Sequence, residues 1–220
     1  MKHIYFVRHG ETKANIKKIH QSPDEPLTIK GQKQAEHAAL LLRERGIDTL
    51  ICSPYKRARQ TAEVISSEVH VPIIFDQCFI EFKRPDTLQN RGHFSVPSMV
   101  YMWRMFLHRE KATWNDHGAE NMFAIRNRVI DAKRILTGQS GTHIAVVSHA
   151  IFINVFLEMV CRDTKVTFVD FIKTLLRAKR THNGSIFHIQ YDENAPKGVC
   201  PWQFIEILGA PKKPQSTTKA

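Results

Sequence analysis

Residues Ile4-Tyr5-Phe6-Val7-Arg8-His9-Gly10-Glu11-Thr12 decide how this chain is read. Four apolar residues run without a polar break and stop at a basic pair and a glycine. A short unbroken run of this kind suits a strand buried on both faces of a parallel sheet. The pattern recurs: Thr49–Cys52 runs into Ser53-Pro54-Tyr55-Lys56-Arg57, and Ile144–Val147 into Ser148-His149. Pro72–Phe75 reads as a fourth buried strand. Open α/β sheets bind ligands beyond the carboxyl ends of their strands, so the residues after each run carry the interest. Three runs bring two histidines (His9, His149) and two arginines (Arg8, Arg57) to one edge of the sheet.

Between the runs lie helical patterns. Gln32–Arg45 repeats apolar residues at Ala35, Ala38, Ala39, Leu41 and Leu42, with Gly46 where a helix C-cap would sit. Arg57–Val69, Ala124–Leu136, Ala150–Val160 and Phe168–Ala178 also read as helices, and Pro54 suits the start of the first of these. Ser185–Tyr191 and Gln203–Leu208 read as a hairpin with a long loop. Strands alternating with helices predict a three-layer α/β/α sandwich with a mostly parallel sheet. Segment 77–118 breaks the alternation with four arginines, two tryptophans and several Phe and Met residues. It reads as a helical lid insertion with short helices near Ser98–Arg109, its tryptophans Trp103 and Trp114 packing it onto the body. The expected organisation is a single domain over 1–210 and a disordered tail over 211–220.

Composition narrows the function. At 42% hydrophobic and 24% charged the 220-residue chain is neither disordered nor fibrous. Its longest apolar stretch, Ile144–Cys161, is broken by Ser148, His149, Asn154 and Glu158 and is no membrane span. The apolar core after Lys2 is too short for a signal peptide, so a cytoplasmic location is expected. Four cysteines without a C-x-x-C pair read as buried thiols, neither disulfide framework nor zinc site. The net charge of +11 favours anionic partners. The basic residues are spread, their densest run being Arg177-Ala178-Lys179-Arg180, which favours a small polyanionic phosphorylated substrate over nucleic acid or a membrane.

Two arginines give forked donors suited to a tetrahedral oxyanion. A neutral histidine nitrogen can attack phosphorus and carry the phosphoryl group, and a neighbouring arginine keeps that histidine neutral. Gly10 would let the backbone approach a ligand closely. Cationic side chains can stabilise the developing charge, so the reading calls for no metal and no cofactor.

Arg8-His9-Gly10-Glu11-Thr12 with Asn15 resembles the signature of the histidine phosphatase (phosphoglycerate mutase-like) superfamily. The resemblance continues through Gln21, Pro26-Leu27-Thr28, Gly31, Gln34-Ala35, Ser53-Pro54, Arg57-Ala58 and Gln60-Thr61-Ala62, and closes at Val146-Val147-Ser148-His149. It implies a phosphoglycerate mutase-like fold and His9 as the phosphorylated nucleophile. Arg8, Arg57 and His149 would form the phosphate pocket, with His149 protonated or donating a hydrogen bond in the transition state. Asn15 matches a phosphate-pocket position and Gln21 a substrate-loop position. Glu81, in Phe79-Ile80-Glu81-Phe82, best matches the general acid; Asp116 and Glu120 are its rivals. The implied activity is metal-independent hydrolysis of phosphate monoesters through a phosphohistidine.

Departures weigh against the superfamily's mutases. Lys83-Arg84-Pro85-Asp86 follows Glu81 in place of a Gly-x-x-Glu-Gly type segment, Ala150 replaces the glycine often found after the second histidine, and His117-Gly118-Ala119-Glu120 alters a Gly-Glu-Ser type element. A counterpart of the mutases' basic and aromatic substrate segment is also missing. The alternatives are a phosphoglycerate-type mutase and a non-catalytic protein that binds phosphorylated ligands. Arg84 and Arg91 are candidates for selecting an acidic substrate, whereas His20, His93, His108 and His182 lack ligand spacing and read as surface residues.

Overall fold

The computed structural model describes residues 1–162 and 167–208. In chain order its main elements are β1 (Lys2–Arg8), α1 (Lys13–Lys17), α2 (Ile29–Arg43), β2 (Thr49–Cys52), α3 (Lys56–Val69), β3 (Ile73–Phe75), α4 (Val96–Leu107), α5 (Met122–Gly138), β4 (His143–Ser148), α6 (Ala150–Glu158), α7 (Phe168–Arg180), β5 (Ile186–Tyr191) and β6 (Trp202–Leu208). Two short 3-10 turns, Gln77–Phe79 and Asp86–Leu88, lie between β3 and α4. The expected tail, 211–220, lies outside the described residues.

The six strands form one sheet in the order β3-β2-β4-β1-β5-β6. The first four are mutually parallel; β5 runs antiparallel to β1 and β6 antiparallel to β5. Strand alternation sorts the core into two faces. Ile4, Phe6, Ile144 and Val146 pack with Ile125, Val129, Phe152, Phe156 and Phe171 of α5, α6 and α7. Tyr5, Val7, Leu50, Ala145 and Val147 face Ala38, Ala39, Leu42, Ala58, Ala62 and Ile65 of α2 and α3. The three-layer sandwich and its mostly parallel sheet are thus observed. The small alanines between α2 and α3 let the two helices approach closely, while each fully buried Phe contributes about 1.5–3 kcal/mol of transfer free energy.

The segment between β3 and α5 joins the first face through Phe79, Phe82, Leu88, Tyr101 and Met105. It is also stitched to the loop after α1: Ile19 bridges Gly92, His20 N–H donates to the Arg91 carbonyl (2.9 Å), and Asn90 N–H to the His20 carbonyl (3.0 Å).

Four expectations need correction. β3 is an edge strand, so Ile74 and Phe75 are about half exposed rather than buried. Trp103 lies on the outer face of α4, 60% exposed, and packs nothing onto the body; Trp114 is partly buried against the core of the first face and stacks near Tyr101 and His108 of its own segment. Cys161 and Cys200 form a disulfide, because the β5–β6 hairpin returns the chain to the end of α6, with Cα atoms 5.4 Å apart. Their separation of 39 residues hid this; Cys52 and Cys78 are free. His20 is buried, its Nε2 on Ser98 Oγ at 2.9 Å. No helix among the described residues is long and apolar enough to cross a membrane.

Candidate active site

The register of β1 and β4 pairs Arg8 with Ser148, and His9 N–H donates to the Ser148 carbonyl at 3.1 Å. His9 and His149 therefore leave neighbouring strand ends side by side, with ring centroids 5.1 Å apart. β2 extends the same edge: Ser53 N–H donates to the Val147 carbonyl (3.0 Å), placing the Ser53 hydroxyl 2.7 Å from His149 Nε2. Arg57, in the first turn of α3, returns over the edge. Its Nε donates to His9 Nε2 at 3.2 Å and its Nη1 to the Ser22 carbonyl at 2.8 Å. His9, Arg57 and His149 are all buried.

The bond to a carbonyl assigns the His9 tautomer. His9 Nδ1 lies 2.7 Å from the Gly10 carbonyl, which can only accept, so Nδ1 carries the proton and Nε2 presents its lone pair to Arg57. Ser53 Oγ accepts the Tyr55 N–H (3.4 Å) and can donate its own hydrogen to His149 Nε2. His149 Nδ1 is buried without a partner. Burial, with Arg57 and Arg8 beside it, holds His9 well below its usual 6.5. Burial and Arg57 do the same for His149, which favours the neutral form of both rings. Burial brings Arg8 and Arg57 down to about 10, which leaves both cationic at neutral pH.

Arg8 Nη1 donates to the Thr181 carbonyl, and its Nε is buried without a partner. Glu81 sits over the start of α6, accepting the Phe152 N–H (3.1 Å) and the Ile151 N–H (3.3 Å). It is an electrostatic neighbour of both Arg8 and Arg57. Its rivals are committed elsewhere. Glu120 holds Arg128 through both carboxylate oxygens (2.7 and 2.6 Å), and Asp116 pairs with Arg104 at 3.1 Å. Asn15 spends its Oδ1 on the loop, accepting from Thr12 N–H (3.1 Å) and Asn183 Nδ2 (3.2 Å). Gln21 Oε1 is buried and unpartnered. Arg84 is half-buried beside Glu81 and His20.

Much of the motif is scaffold. A Cβ on Gly10 would collide with the Gly31 carbonyl, so Gly10 is required for backbone contact with α2. Thr61 Oγ1 accepts the Gly10 N–H (3.1 Å) and donates to the Arg57 carbonyl (2.8 Å). Gln34 accepts the Glu11 N–H at 2.8 Å and Gln60 the Leu27 N–H at 2.9 Å. Three contributors escaped the sequence reading. Ser53 holds the His149 ring through a 2.7 Å hydrogen bond, and the Ser53-Pro54 pair could have flagged it. Asn183 ties the His9 carbonyl (3.0 Å) to Asn15, with only the Asn183-Gly184 turn as a signal. Arg128 gathers the carbonyls of Cys78 (2.9 Å), Ile80 (2.7 Å) and Glu81 (3.4 Å), and no motif marks it.

A sheet edge that joins a buried histidine to the buried Arg57 and to Arg8 has the chemistry of a phosphoryl-transfer pocket. The histidine phosphatase superfamily (branch 1) profile matches residues 4–200, and the chain belongs to that family. It is 30% identical over 198 residues to a protein of Escherichia coli O1:K1 named "Probable phosphoglycerate mutase GpmB", covering 88% of this chain and 87% of that one. Two similar solved structures support the fold. A putative alpha-ribazole-5'-P phosphatase from Escherichia coli has a TM-score of 0.73 at 21% identity, covering 93% of this chain and 94% of the other. A phosphoserine phosphatase from Entamoeba histolytica, solved with phosphoserine, has a TM-score of 0.70 at 18% identity, covering 94% and 96%.

Proposed function

We propose that this chain hydrolyses small phosphate monoesters through a phosphohistidine on His9, without a metal. The observation that carries the reading is the state of His9: neutral, with its proton on Nδ1 and the Nε2 lone pair turned to Arg57. An incoming phosphate draws the Arg57 guanidinium onto its own oxygens and uncovers Nε2. Nε2 then attacks phosphorus, and the P–O bond to the alcohol breaks as the N–P bond forms. Arg8, Arg57 and His149 Nδ1–H hold the remaining oxygens where charge accumulates. Glu81 gives its proton to the leaving oxygen. It then takes one from water, whose oxygen attacks phosphorus, releases phosphate and restores His9. Asn15 and Gln21 line the approach, and the 77–118 segment acts as a lid of a single 1–210 domain. The hydrogen bonds between residues 18–20 and 90–93 support that role for the segment.

Hydrolysis of an aryl phosphate by the purified protein in EDTA, with His9→Ala alongside, tests the reading. Activity that persists in EDTA and disappears in the variant supports it; equal activity in both overturns it. The GpmB name favours a second reading, a phosphoglycerate-type mutase. A mutase needs a bisphosphate to load the histidine and isomerises a phosphoglycerate faster than it releases phosphate. Side-by-side measurement of those two rates separates the readings.

A further inference from the structure

Helix α4 is apolar on both sides. Its inner residues Tyr101 and Met105 are buried against the body, while Val96, Met99, Val100, Trp103 and Leu107 are each more than half exposed. Those five recur at the helical period, so they form one outward stripe, and Phe94, 74% exposed, extends it before the helix begins. The stripe continues sideways onto α7. The Phe106 and Phe168 rings meet at 4.9 Å at one end, and Lys179 Nζ lies 4.1 Å from the Phe94 ring centroid at the other. The two helices therefore run side by side in opposite directions, and α7 adds Val169 and Leu176, both more than half exposed. Exposed apolar residues scattered singly are ordinary, but a contiguous set on two adjoining helices marks an interaction surface.

The charges around the patch choose the partner. Its carboxylates already have cations: Glu158 has Arg162 and Arg177, Asp116 has Arg104, Glu110 has Arg109, and Asp170 holds the cap of α7 beside Lys173. Lys179 and Arg180, exposed at the C-terminal end of α7, have no acidic partner among the described residues. The surface is thus apolar along its centre and cationic at its rim. A bilayer with anionic headgroups meets both demands, because its acyl boundary takes Trp, Phe, Leu and Val side chains and its headgroups take Lys and Arg. A second copy of the same face would bring one cationic rim toward another. The sequence shows the basic run of α7 but not the apolar stripe that the fold sets beside it, which is why composition alone speaks against a membrane. We propose that the α4–α7 face is a peripheral docking surface for an anionic phospholipid bilayer. This stands independently of the reaction at His9. The Thr181 carbonyl at the end of α7 accepts from Arg8, so a docked molecule holds its strand-end pocket beside the headgroups.

Co-sedimentation of the full-length protein with vesicles tests it, comparing phosphatidylcholine alone with equal parts of phosphatidylcholine and phosphatidylserine. Tight binding is expected only with the second, weakening as salt is raised. Trp103 is the exposed tryptophan, Trp202 being buried and Trp114 partly so. Binding should therefore shift the fluorescence to the blue, and Trp103→Phe should remove most of that shift while binding is retained. Trp103→Ser with Met99→Ser should weaken binding by about tenfold or more. Lys179→Gln with Arg180→Gln should weaken it by about 10- to 30-fold, against less than about threefold for Lys30→Gln with Lys33→Gln on α2 in the opposite helix layer. All these side chains are exposed, and the unfolding midpoint checks that each variant is folded. Failure to bind either vesicle, equal binding to both, or binding unmoved by the Trp103 and Met99 changes overturns the proposal. So does a loss no greater for the α7 pair than for the α2 pair. A concentration-dependent dimer that the Trp103 and Met99 changes disperse also overturns it and assigns the face to a second copy.

Discussion

The strand-end pocket and the segment between β3 and α5 meet at the same place but are positioned by different means. His9, Ser53 and His149 each follow a strand directly, and backbone ladder bonds set their positions relative to one another. Glu81 follows no such ladder. Its main chain is gathered by Arg128, which itself depends on Glu120, and its carboxylate is held by amides of α6. Groups fixed by backbone pairing move only if the sheet moves, whereas groups fixed by side chains depend on single residues that can be substituted without unfolding the sheet.

Removing the nucleophile should have the largest effect: His9→Ala is expected to lower kcat by roughly 10⁴-fold or more, measured by phosphate release. The contrast between the regions is tested next by Arg128→Met. It leaves Glu120 largely shielded from water with the Lys83 N–H as its remaining partner and frees three carbonyls, so a stability loss of about 1–3 kcal/mol in denaturant unfolding is expected. The double variant Arg128→Met with Glu120→Leu should recover much of it; if it recovers none, the pair is not what holds the segment. Arg57→Ala should lower kcat/KM by roughly 10²–10³-fold while the unfolding midpoint changes much less than for Arg128→Met. Cys161→Ser removes a cross-link outside both regions. It should lower stability by about 2–4 kcal/mol in non-reducing buffer, with kcat little changed.

The smallest effect is a pH slope. His9, His149 and His20 have lowered folded pKa values, whereas their unfolded values lie near 6.5. Below about pH 6.5 the unfolded chain takes up protons that the folded chain refuses. The stability is therefore fully present above that pH and is lost as the pH falls, by up to about 1.4 kcal/mol per pH unit for each histidine. Unfolding titrations between pH 5 and 8 read the slope, and His20→Asn should make it shallower. For the same reason, kcat/KM should show no acid limb near pH 6.5 from His9.

The difference between the regions also explains what could be read in the sequence. β1, β2 and β4 were legible because a strand buried on both faces needs an unbroken apolar run, and the residues after each run are fixed by the ladder. β3 has the same apolar run, but its place at the sheet edge leaves Ile74 and Phe75 half exposed, and edge position leaves no mark in a short run. Within 77–118 the helix near Ser98–Arg109 was legible as α4, Val96–Leu107, while the role of its faces was not. Trp103 turned outward and Tyr101 inward because the partners of α4 are distant in sequence. The Cys161–Cys200 disulfide, the buried His20 and the Arg128 hub went unseen for the same reason.

Trapping the intermediate tests the central claim most directly. The protein is mixed with phenyl phosphate, quenched in alkali within the first turnovers and digested for mass spectrometry. The account predicts an acid-labile, alkali-stable phosphoryl group on His9, bonded through Nε2 and absent from His9→Ala. Hydrolysis that depends on His9 but yields no phosphoenzyme, or a phosphoryl group on any other residue, would contradict it.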